Sequence, residues 1–446
     1  RLGMEAPEDI KSLVSRRREA GLPDDPATLI YTSGTTGEPK GVVISHSNYD
    51  AAMEMHLEEL TMISDEDVSM AFLPMSHIFE KAWSFFCLTK GIRIAVNYDP
   101  RIIQDTIHTV HPNVMCCVPR FWEKVYAGVK EKIASMGRLE RLAVKRALSV
   151  GRRRNIDYVR LGKTPPALLE KEYGFWDRKI FSRLKLAIGI PQPNMFPTAG
   201  APLSDRICEF MRSVGINVKI GYGLSETTAT VSCFPETDYT IGTVGKPLPG
   251  IDVKISEEGE ILVKAPTVTP GYYNNPKANE EAFTSDGYFR TGDAGYLTAD
   301  GSIVLTERVK DLFKTSNGKY IAPQALESRL AENKYIDEAA VIGDRRKFVT
   351  ALVVPNLSQL REWAARHGLG NEDTETLMKD ERTIKFMMEQ IDSVQGDMAT
   401  YERIKRITLL PYHFSIMNGE VTNTMKVRRP VVAKRYASEI EAMYAE

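Results

Sequence analysis

The segment from residue 30 to residue 42, IYTSGTTGEPKGV, concentrates residue types that bind anions: three Gly, three Thr, one Ser and one Lys. Backbone N–H groups and hydroxyls of such a loop can surround a polyphosphate, and the lysine adds positive charge. The alternative is a flexible hairpin, which needs neither the lysine nor so many hydroxyls. The residues that we expect at the phosphates are Thr32, Ser33, Gly34, Thr35, Thr36, Gly37 and Lys40.

The spacing of this loop differs from that of a P-loop. The Walker motif requires G-x-x-x-x-G-K-[ST]. Counted from Gly34 the second glycine would fall on Pro39, and counted from Gly37 it would fall on Val42. The residue after Lys40 is a glycine, so the hydroxyl that holds magnesium in a P-loop has no counterpart there.

Small residues recur in PTAGAPLS (197–204), where Gly200, Ala201 and Pro202 follow a helical stretch. Residues without bulky side chains let a flat ring approach the backbone closely. The segment is therefore a candidate for contact with a nucleotide base, although a tight packing turn would explain it equally well.

A second glycine-containing segment, IGYGLSETTA (220–229), follows a strand-like run and includes Gly221 and Gly223. It is not a dinucleotide fingerprint, because Glu226 stands where the third glycine would be. Tyr222 could stack on a base, Ser225 could contact phosphate, and Glu226 could hold Mg²⁺, which prefers oxygen ligands. The alternative is a helix N-terminus with Ser225 as N-cap and Glu226 favoured by the helix dipole.

Three more charged residues stand in short motifs nearer the C-terminus. Asp293, in YFRTGDAGYL, is predicted in a Thr-Gly-Asp turn between strands, where its carboxylate could accept bonds from both ribose hydroxyls. Aspartate is also common in ordinary β-turns. Arg308 could reach a second sugar or phosphate oxygen. Lys426 follows a glycine turn near the chain end, where a surface lysine is the alternative.

Hydrophobic patterning predicts an α/β protein. Within residues 28–307, short apolar runs first alternate with helical stretches, which is typical of a parallel sheet with helices on its faces. Short strands separated by turns predict a small antiparallel β subdomain at about 240–306. We expect a helix and linker at 1–27, a boundary at 308–311 and a further domain at 312–446.

Composition narrows the classes of partner. The chain of 446 residues has 58 basic and 59 acidic residues and a net charge of −1. The molecule as a whole therefore has no positive electrostatic field that would attract nucleic acid. Its five Cys form no C-x-x-C pair and are expected to be reduced core thiols. The helical region 120–154 carries eleven Lys or Arg against three Glu, which favours a solvated helix face or a contact with a membrane surface.

Taken in order, these motifs resemble those of the adenylate-forming enzymes, and among them the AMP-forming long-chain acyl-CoA synthetases. The resemblance runs from about residue 28 to the chain end. It includes YTSGTTGEPKGV, FLPMSHIFEKAW, GYGLSET, YFRTGD, ERVKD and TNTMK, and YIDEAAVIGDRRKFVTALVVPN (335–356) resembles the family's C-terminal domain. It implies a large N-terminal domain of mixed and parallel sheets with a β subdomain, followed by a small mobile α+β domain.

The resemblance also implies a reaction. A fatty acid would be activated with ATP to acyl-AMP, pyrophosphate would leave, and the acyl group would pass to CoA. The opening loop would hold the phosphates that depart, and Mg²⁺ would lie on Glu226 and Thr32. Lys40 and Lys426 would neutralise charge, and the C-terminal domain would rotate about Lys310 between the two half-reactions.

The remaining implied roles concern substrate contacts. Gly200, Ala201, Pro202 and Tyr222 would line the adenine, and Asp293 and Arg308 would hold the ribose. Gly221, Gly223 and Ser225 would also contact the bound nucleotide. The acyl group would lie near His77 and Trp83; a buried aromatic cluster is the alternative for Trp83.

The sequence is compatible with several alternatives. The acyl acceptor could be a carrier protein instead of CoA, or the chain could be a truncated nucleotide-binding module without full activity. Medium-chain or aromatic acids are alternatives to long-chain acids. Only about 27 residues precede the region of resemblance, so we expect the family's N-terminal segment to be missing. A cytoplasmic location is expected, with a homodimer and a peripheral contact at the inner face of the membrane left open.

Overall fold

The computed structural model describes residues 5–32, 39–309, 312–317, 319–331, 333–370, 372–396, 398–415, 417–421 and 427–445. The chain divides into two compact units. The first contains the residues up to 291 together with 295–305, and the second contains 292–294 and the residues from 306 onward. The predicted hinge residue Lys310 lies outside the described residues.

The first unit contains ten α-helices within the described part of the chain. They are α1 Glu8–Ala20, α2 His46–Glu59, α3 Ile78–Lys90, α4 Ile103–Val110, α5 Pro119–Ala134, α6 Arg138–Asp157, α7 Ala167–Trp176, α8 Ser182–Ile188, α9 Asp205–Ser213 and α10 Pro276–Ala282. Its strands up to the β subdomain are β1 Pro26–Thr32, β2 Lys40–Ser45, β3 Val68–Ala71, β4 Arg93–Val96, β5 Phe196–Thr198, β6 Val218–Tyr222, β7 Ser232–Cys233 and β8 Lys246–Pro247.

The predicted parallel strands are present. β3 pairs with β4, and β5 pairs with β6, in both cases in parallel. Val114 forms parallel bridges to both Ser69 and Met195, so the apolar run at 114–117 joins the two pairs. This run is fully buried, as expected for a strand with helices on both faces. The α/β fold class is confirmed.

The first two apolar runs, which form β1 and β2, do not belong to that parallel sheet. This corrects the expectation from the sequence. β1 and β2 form an antiparallel hairpin in which Thr32 lies opposite Lys40. A short connection can join antiparallel strands, whereas parallel strands need a crossover of a dozen or more residues. The connection between Thr32 and Lys40 is too short for a crossover.

The basic region at 120–154, predicted as one helical region, forms two helices. α5 ends at Ala134, and α6 begins after Gly137. The carboxylate of Glu140 accepts a hydrogen bond from the N–H of Gly137 at 2.9 Å, which caps the start of α6. All five cysteines are buried, as predicted.

A four-stranded sheet follows in the order β12-β11-β10-β9. Its strands are β9 Asp252–Ile255, β10 Glu260–Lys264, β11 Phe289–Leu297 and β12 Ile303–Arg308. Asp293 lies inside β11, so its predicted placement in a turn between strands is wrong. The preceding Gly292 has φ of +69°, which only a residue without Cβ adopts readily within a strand.

The second unit contains the strands β13 Phe313–Lys314, β14 Tyr320–Ile321, β15 Ile336–Ile342, β16 Val349–Pro355 and β17 Ile404–Leu409. β13 pairs with β14, and the other three form a sheet in the order β15-β16-β17. Its helices are α11 Pro323–Leu330, α12 Leu357–Arg366, α13 Thr374–Lys379, α14 Glu381–Gln395, α15 Arg429–Arg435 and α16 Ala437–Tyr444. β16 is buried along its whole length, because apolar side chains cover both faces of the sheet.

None of the helices in the described ranges is both long enough and apolar enough to cross a membrane.

Candidate active site

The stem of the opening loop is the end of the β1–β2 hairpin. Thr32 and Lys40 form the last residue pair of the ladder, and the hydroxyl of Thr32 donates to the carbonyl oxygen of Lys40 at 3.5 Å. The other predicted phosphate contacts, Ser33, Gly34, Thr35, Thr36 and Gly37, lie outside the described residues. The structure therefore places the two flanking members of the loop side by side.

A third segment, Thr269–Tyr273, runs along β2. The N–H of Val43 donates to the carbonyl of Gly271 at 3.0 Å, and the N–H of Tyr273 donates to the carbonyl of Gly41 at 2.7 Å. Tyr272 itself forms an antiparallel bridge with Val42. These bonds bring a tyrosine that the sequence analysis did not single out next to the loop stem.

Glu226 lies against this tyrosine. The hydroxyl of Tyr272 donates to Oε1 of Glu226 at 3.0 Å, and the carbonyl of Glu226 accepts from the N–H of Thr269 at 2.8 Å. The ammonium group of Lys40 lies over the same tyrosine ring, 5.0 Å from its centroid. Lys40, Tyr272 and Glu226 thus form one cluster, which we call the stem cluster.

Burial raises the pKa of the Tyr272 hydroxyl above its ordinary value, and the neighbouring Glu226 carboxylate raises that pKa further. The phenol therefore keeps its proton and acts as a donor to the carboxylate. Among the described residues, this bond is the one hydrogen bond made to the carboxylate of Glu226. Its other oxygen can still bind a ligand.

The turn that carries Glu226 is a three-residue 3₁₀ helix, Ser225–Thr227, and not the start of an α-helix. The N-cap is Leu224, so the alternative with Ser225 as N-cap is wrong. The N–H of Leu224 donates to the hydroxyl of Thr227 at 3.0 Å, which closes the turn. A helix this short has only a small dipole, so dipole stabilisation does not account for the acidic residue.

Gly223 is required by close packing of this turn. A Cβ at this position would lie 1.4 Å from the carbonyl oxygen of Ala229. Ala229 itself has φ of +81°, and the preceding Thr228 has φ of +47°. Left-handed conformations of two consecutive residues other than glycine are costly and concentrate at functional sites.

The predicted adenine contacts lie at the carboxyl ends of two parallel strands. Gly200, Ala201 and Pro202 follow β5, are exposed, and include a glycine with φ of +90°. Gly221 and Tyr222 end the neighbouring β6. Ligands of α/β sheets commonly bind at this carboxyl edge. Tyr222 is only 7% exposed and packs in a buried cluster, so its stacking on a base stays a prediction.

The structure brings the two predicted ribose ligands together. Nε of Arg308 lies 2.7 Å from Oδ1 of Asp293, and both residues belong to the second unit. The Asp293 side chain is largely buried, whereas that of Arg308 is more exposed. An arginine in this position forms a charge-assisted contact that orients the carboxylate.

The two predicted acyl contacts have different environments. His77 is exposed directly before α3. Trp83 is 6% exposed, stacks on Phe86 with 5.4 Å between ring centroids, and donates from Nε1 to the hydroxyl of Ser69 at 2.9 Å. This packing favours the alternative reading of Trp83 as part of a buried aromatic cluster.

Between these residues the structure shows a buried carboxyl group that the sequence analysis missed. Glu80 lies in the first turn of α3 and accepts from the N–H of Leu73 at 3.0 Å and from the hydroxyl of Ser84 at 3.5 Å. Burial raises its pKa to about 7. The signal that could have found it was a glutamate placed among Ile, Phe, Ala and Trp in the segment HIFEKAW.

Lys426 lies outside the described residues, but its flanks are described. Val421 and Val427, on the two sides of residues 422–426, form an antiparallel bridge. Arg429 then binds the carboxylate of Glu327 with both contacts at 2.6 Å. These contacts fix the two ends of the segment to which Lys426 belongs.

The oxygen donors near the loop stem suit Mg²⁺ that is shared with a substrate better than a metal ion whose ligands all come from the protein. The described residues contain no group of three or more His, Cys, Asp or Glu that could hold a metal ion. Mg²⁺ commonly takes one or two protein oxygens and completes its shell with water and substrate phosphates. The available carboxylate oxygen of Glu226 and the hydroxyl of Thr32 are such donors.

Comparison with known proteins gives a consistent result. Residues 3–273 match the AMP-binding enzyme family, and residues 310–446 match the AMP-binding enzyme C-terminal domain. Long-chain-fatty-acid–CoA ligase FadD15 of Mycobacterium bovis is 35% identical over 94% of the chain and 69% of the relative. Human long-chain-fatty-acid–CoA ligase 1 is 30% identical over 99% of the chain and 64% of the relative.

The fold comparison agrees. O-succinylbenzoate coenzyme A synthetase from Bacillus subtilis, in complex with AMP, matches with a TM-score of 0.61 and 21% identity over 92% of the chain and 69% of that structure. ATP-bound MatB from Rhodopseudomonas palustris matches with a TM-score of 0.61 and 23% identity over 93% of the chain and 69% of that structure. At these identities the likeness shows the fold alone.

Proposed function

The chain belongs to the AMP-binding enzyme family, and from that membership we propose that it is an ATP-dependent long-chain fatty acid–CoA ligase. It activates a fatty acid as acyl-AMP, releases pyrophosphate and transfers the acyl group to CoA. The stem cluster is the observation that carries the proposal, because it sets a cation and an acidic oxygen ligand beside the phosphate-type loop. The names of the curated relatives support a fatty acid as the substrate.

The first half-reaction joins two anions. A carboxylate oxygen attacks the α-phosphorus of ATP, the new acyl–phosphate bond forms, and the bond to the β-phosphate oxygen breaks so that pyrophosphate leaves. Charge neutralisation is therefore the main demand on the site. Lys40 is held by the face of a ring, so its charge remains available to a phosphate.

Magnesium, when bound, neutralises part of the triphosphate charge. Glu226 and Thr32 would hold it, with the Tyr272 hydroxyl fixing the glutamate from the opposite oxygen. The remaining phosphate contacts are proposed for Ser33, Gly34, Thr35, Thr36 and Gly37. Ser225, which begins the neighbouring 3₁₀ turn, is proposed for a further phosphate contact.

The nucleoside would be recognised by two groups of residues. The small side chains of Gly200, Ala201 and Pro202 leave the backbone accessible to a flat ring, as their exposure allows. Asp293 would accept the ribose hydroxyls while Arg308 orients its carboxylate. His77 is the exposed member of the proposed acyl contacts, and Trp83 would support that region from the core.

In the second half-reaction the CoA thiol attacks the acyl carbonyl carbon and AMP leaves. We propose that the domain after the boundary at 308–311 rotates about Lys310 between the two steps. Lys426 would neutralise charge at the reacting carboxylate and α-phosphate in the adenylating pose only. Such switching needs changes in only a few backbone torsions.

A peripheral membrane contact is proposed at the start of α6. Leu139 is 81% exposed and Leu142 is also exposed. Arg138 and Lys145 lie four and three positions from Leu142 and share its exposed helix face, and Arg141 is exposed on the same turns. Apolar side chains among cations suit a surface of anionic lipids. Binding to anionic but not to neutral vesicles, reduced in Leu139→Ser, would support this contact; equal binding of the two proteins would contradict it. A homodimer and a cytoplasmic location stay predictions from the resemblance.

The test of the function is carboxylate-dependent exchange between ATP and labelled pyrophosphate, on a panel of long-chain, medium-chain and aromatic acids. Exchange with long-chain acids, followed by thioester formation when CoA is added, is the expected result. Exchange without thioester would favour transfer to a carrier protein. ATP binding without exchange by any acid would favour a nucleotide-binding module without ligase activity.

A further inference from the structure

We infer that Tyr272 is a positioning residue of the phosphate and magnesium site, acting on Glu226 through its hydroxyl and on Lys40 through its ring. The inference deepens the proposed function and rests on it. Within the described part of the chain, Lys40 and Glu226 form no ion pair within 4 Å, although both contact Tyr272. One tyrosine therefore contacts the cation with the face of its ring and the anion with its hydroxyl.

The tyrosine backbone is held firmly. The N–H of Tyr272 donates to Oδ1 of Asn279 at 2.6 Å, and Nδ2 of Asn279 donates back to the carbonyl of Tyr272 at 3.2 Å. Asn279 belongs to α10, whose N-terminus is capped by Asn275. On the other side, the bonds of Thr269–Tyr273 to β2 fix the same segment. The ring is therefore attached both to the loop stem and to a helix.

The contacts of the hydroxyl and the ring have separable consequences. The hydroxyl occupies Oε1 of Glu226, which restricts the rotation of the carboxylate and presents the other oxygen. The ring face attracts the Lys40 ammonium without neutralising it, because a quadrupole carries no net charge. Removing the hydroxyl should affect magnesium use, whereas removing the ring should also affect the lysine and hence the bare triphosphate.

A surface tyrosine next in the chain provides a matched control. The side chain of Tyr273 is 52% exposed, and its bond to β2 is made by the backbone. Tyr273→Phe therefore changes a hydroxyl in the same segment without touching Lys40 or Glu226. Tyr272→Phe keeps the ring and loses the hydroxyl, and Tyr272→Leu loses both.

The experiment is calorimetric titration of ATP into each protein, with and without Mg²⁺, alongside thermal unfolding and pyrophosphate exchange. For Tyr272→Phe we expect the affinity gained on adding Mg²⁺ to fall by about tenfold or more, with Mg²⁺-free ATP binding unchanged. For Tyr272→Leu we expect Mg²⁺-free binding to weaken as well. Tyr273→Phe should match the wild type in every measurement.

A Tyr272→Phe protein that folds and keeps the wild-type response to Mg²⁺ would overturn the inference. Because this variant is conservative, it decides the question even if Tyr272→Leu does not fold. Failure of the proposed function gives a different pattern: wild-type protein then shows no carboxylate-dependent exchange, while the calorimetric comparison of Tyr272→Phe with Tyr273→Phe still reports on the positioning role.

Discussion

Arg308 and Asp293 form an ion pair in which Nε of the arginine lies 2.7 Å from Oδ1 of the aspartate. The arginine orients the largely buried carboxylate that is proposed to accept the ribose hydroxyls. Nucleotide binding should therefore depend on both residues. Asp293→Asn should weaken ATP and acyl-AMP binding by roughly tenfold or more, since hydrogen bonds to a charged group are lost. The KM for the fatty acid should change little.

Steady-state kinetics with each substrate varied in turn would check this prediction. Asp65→Asn, at an exposed position in the first unit, is a suitable control for loss of one negative charge. Equal effects of Asp293→Asn on ATP and on fatty acid would argue for a general structural role instead of ribose binding.

Lys40→Ala should impair use of MgATP while leaving the fold intact. The lysine lies at the end of the hairpin ladder, so its removal leaves the core unchanged. The loss of one electrostatic group at a phosphate is expected to reduce kcat/KM for ATP by about a hundredfold. The measurement is ATP kinetics together with thermal unfolding, with Lys132→Ala on the exposed face of α5 as the control. ATP kinetics equal to those of the wild type would remove Lys40 from the phosphate site.

Glu80 should make stability depend on pH in a defined window. Burial raises its pKa to about 7, so the folded protein holds a proton that the unfolded chain releases near pH 4.5. Protonated Glu80 contributes on the order of 3 kcal/mol to the free energy of unfolding. This contribution is complete below pH 4.5, falls as the pH rises towards 7 and is lost above pH 7.

Glu80→Gln removes this titration and keeps an acceptor for the N–H of Leu73. The difference in free energy of unfolding between wild type and variant should therefore fall between pH 4.5 and 7 and stay level above pH 7. Denaturant unfolding at several pH values measures the difference, in which other titrating groups cancel. A difference that is constant across the window would show that Glu80 is already ionised in the folded protein.

Lys426→Ala should separate the two half-reactions. Acyl-AMP formation is expected to fall by about a hundredfold, the scale of losing one placed electrostatic group. Thioester formation from supplied acyl-AMP and CoA should change only slightly, and Lys434→Ala on exposed α15 serves as the control. Lys310→Pro restrains a backbone torsion at the proposed hinge, so one half-reaction should survive while the other is lost. Equal loss of both steps in Lys426→Ala would contradict the two-pose mechanism.

Some of these features could be read from the sequence because they depend on local patterns. Apolar runs predicted the parallel strands, and glycine and hydroxyl residues marked the loop whose stem pairs Thr32 with Lys40. The antiparallel direction of β1 and β2 was missed because an apolar run carries no information on which way its neighbour runs. Asp293 was placed in a turn because Thr-Gly-Asp is a common turn sequence, whereas Gly292 produces an irregularity inside a strand.

Other features depend on contacts between distant parts of the chain. Tyr272 meets Glu226 across 46 positions in the sequence, and its surroundings, TPGYYNNP, have the composition of a turn. The indole N–H of Trp83 on α3 donates to Ser69 on β3, a contact between two elements that periodicity does not reveal, so the role of Trp83 was left undecided. Tertiary packing determines these environments, and a single sequence does not contain it explicitly.

The proposed reaction is tested most directly by mass spectrometry of the acyl-AMP that wild-type protein and Glu226→Gln form without CoA. We expect the wild type to form acyl-AMP and pyrophosphate in equal amounts, and only when ATP, Mg²⁺ and a fatty acid are all present. Glu226→Gln should be slower by about a hundredfold, because the amide is a poor Mg²⁺ ligand. A wild type that binds MgATP but forms no acyl-AMP with any acid, or a Glu226→Gln variant as fast as the wild type, would contradict the proposed function.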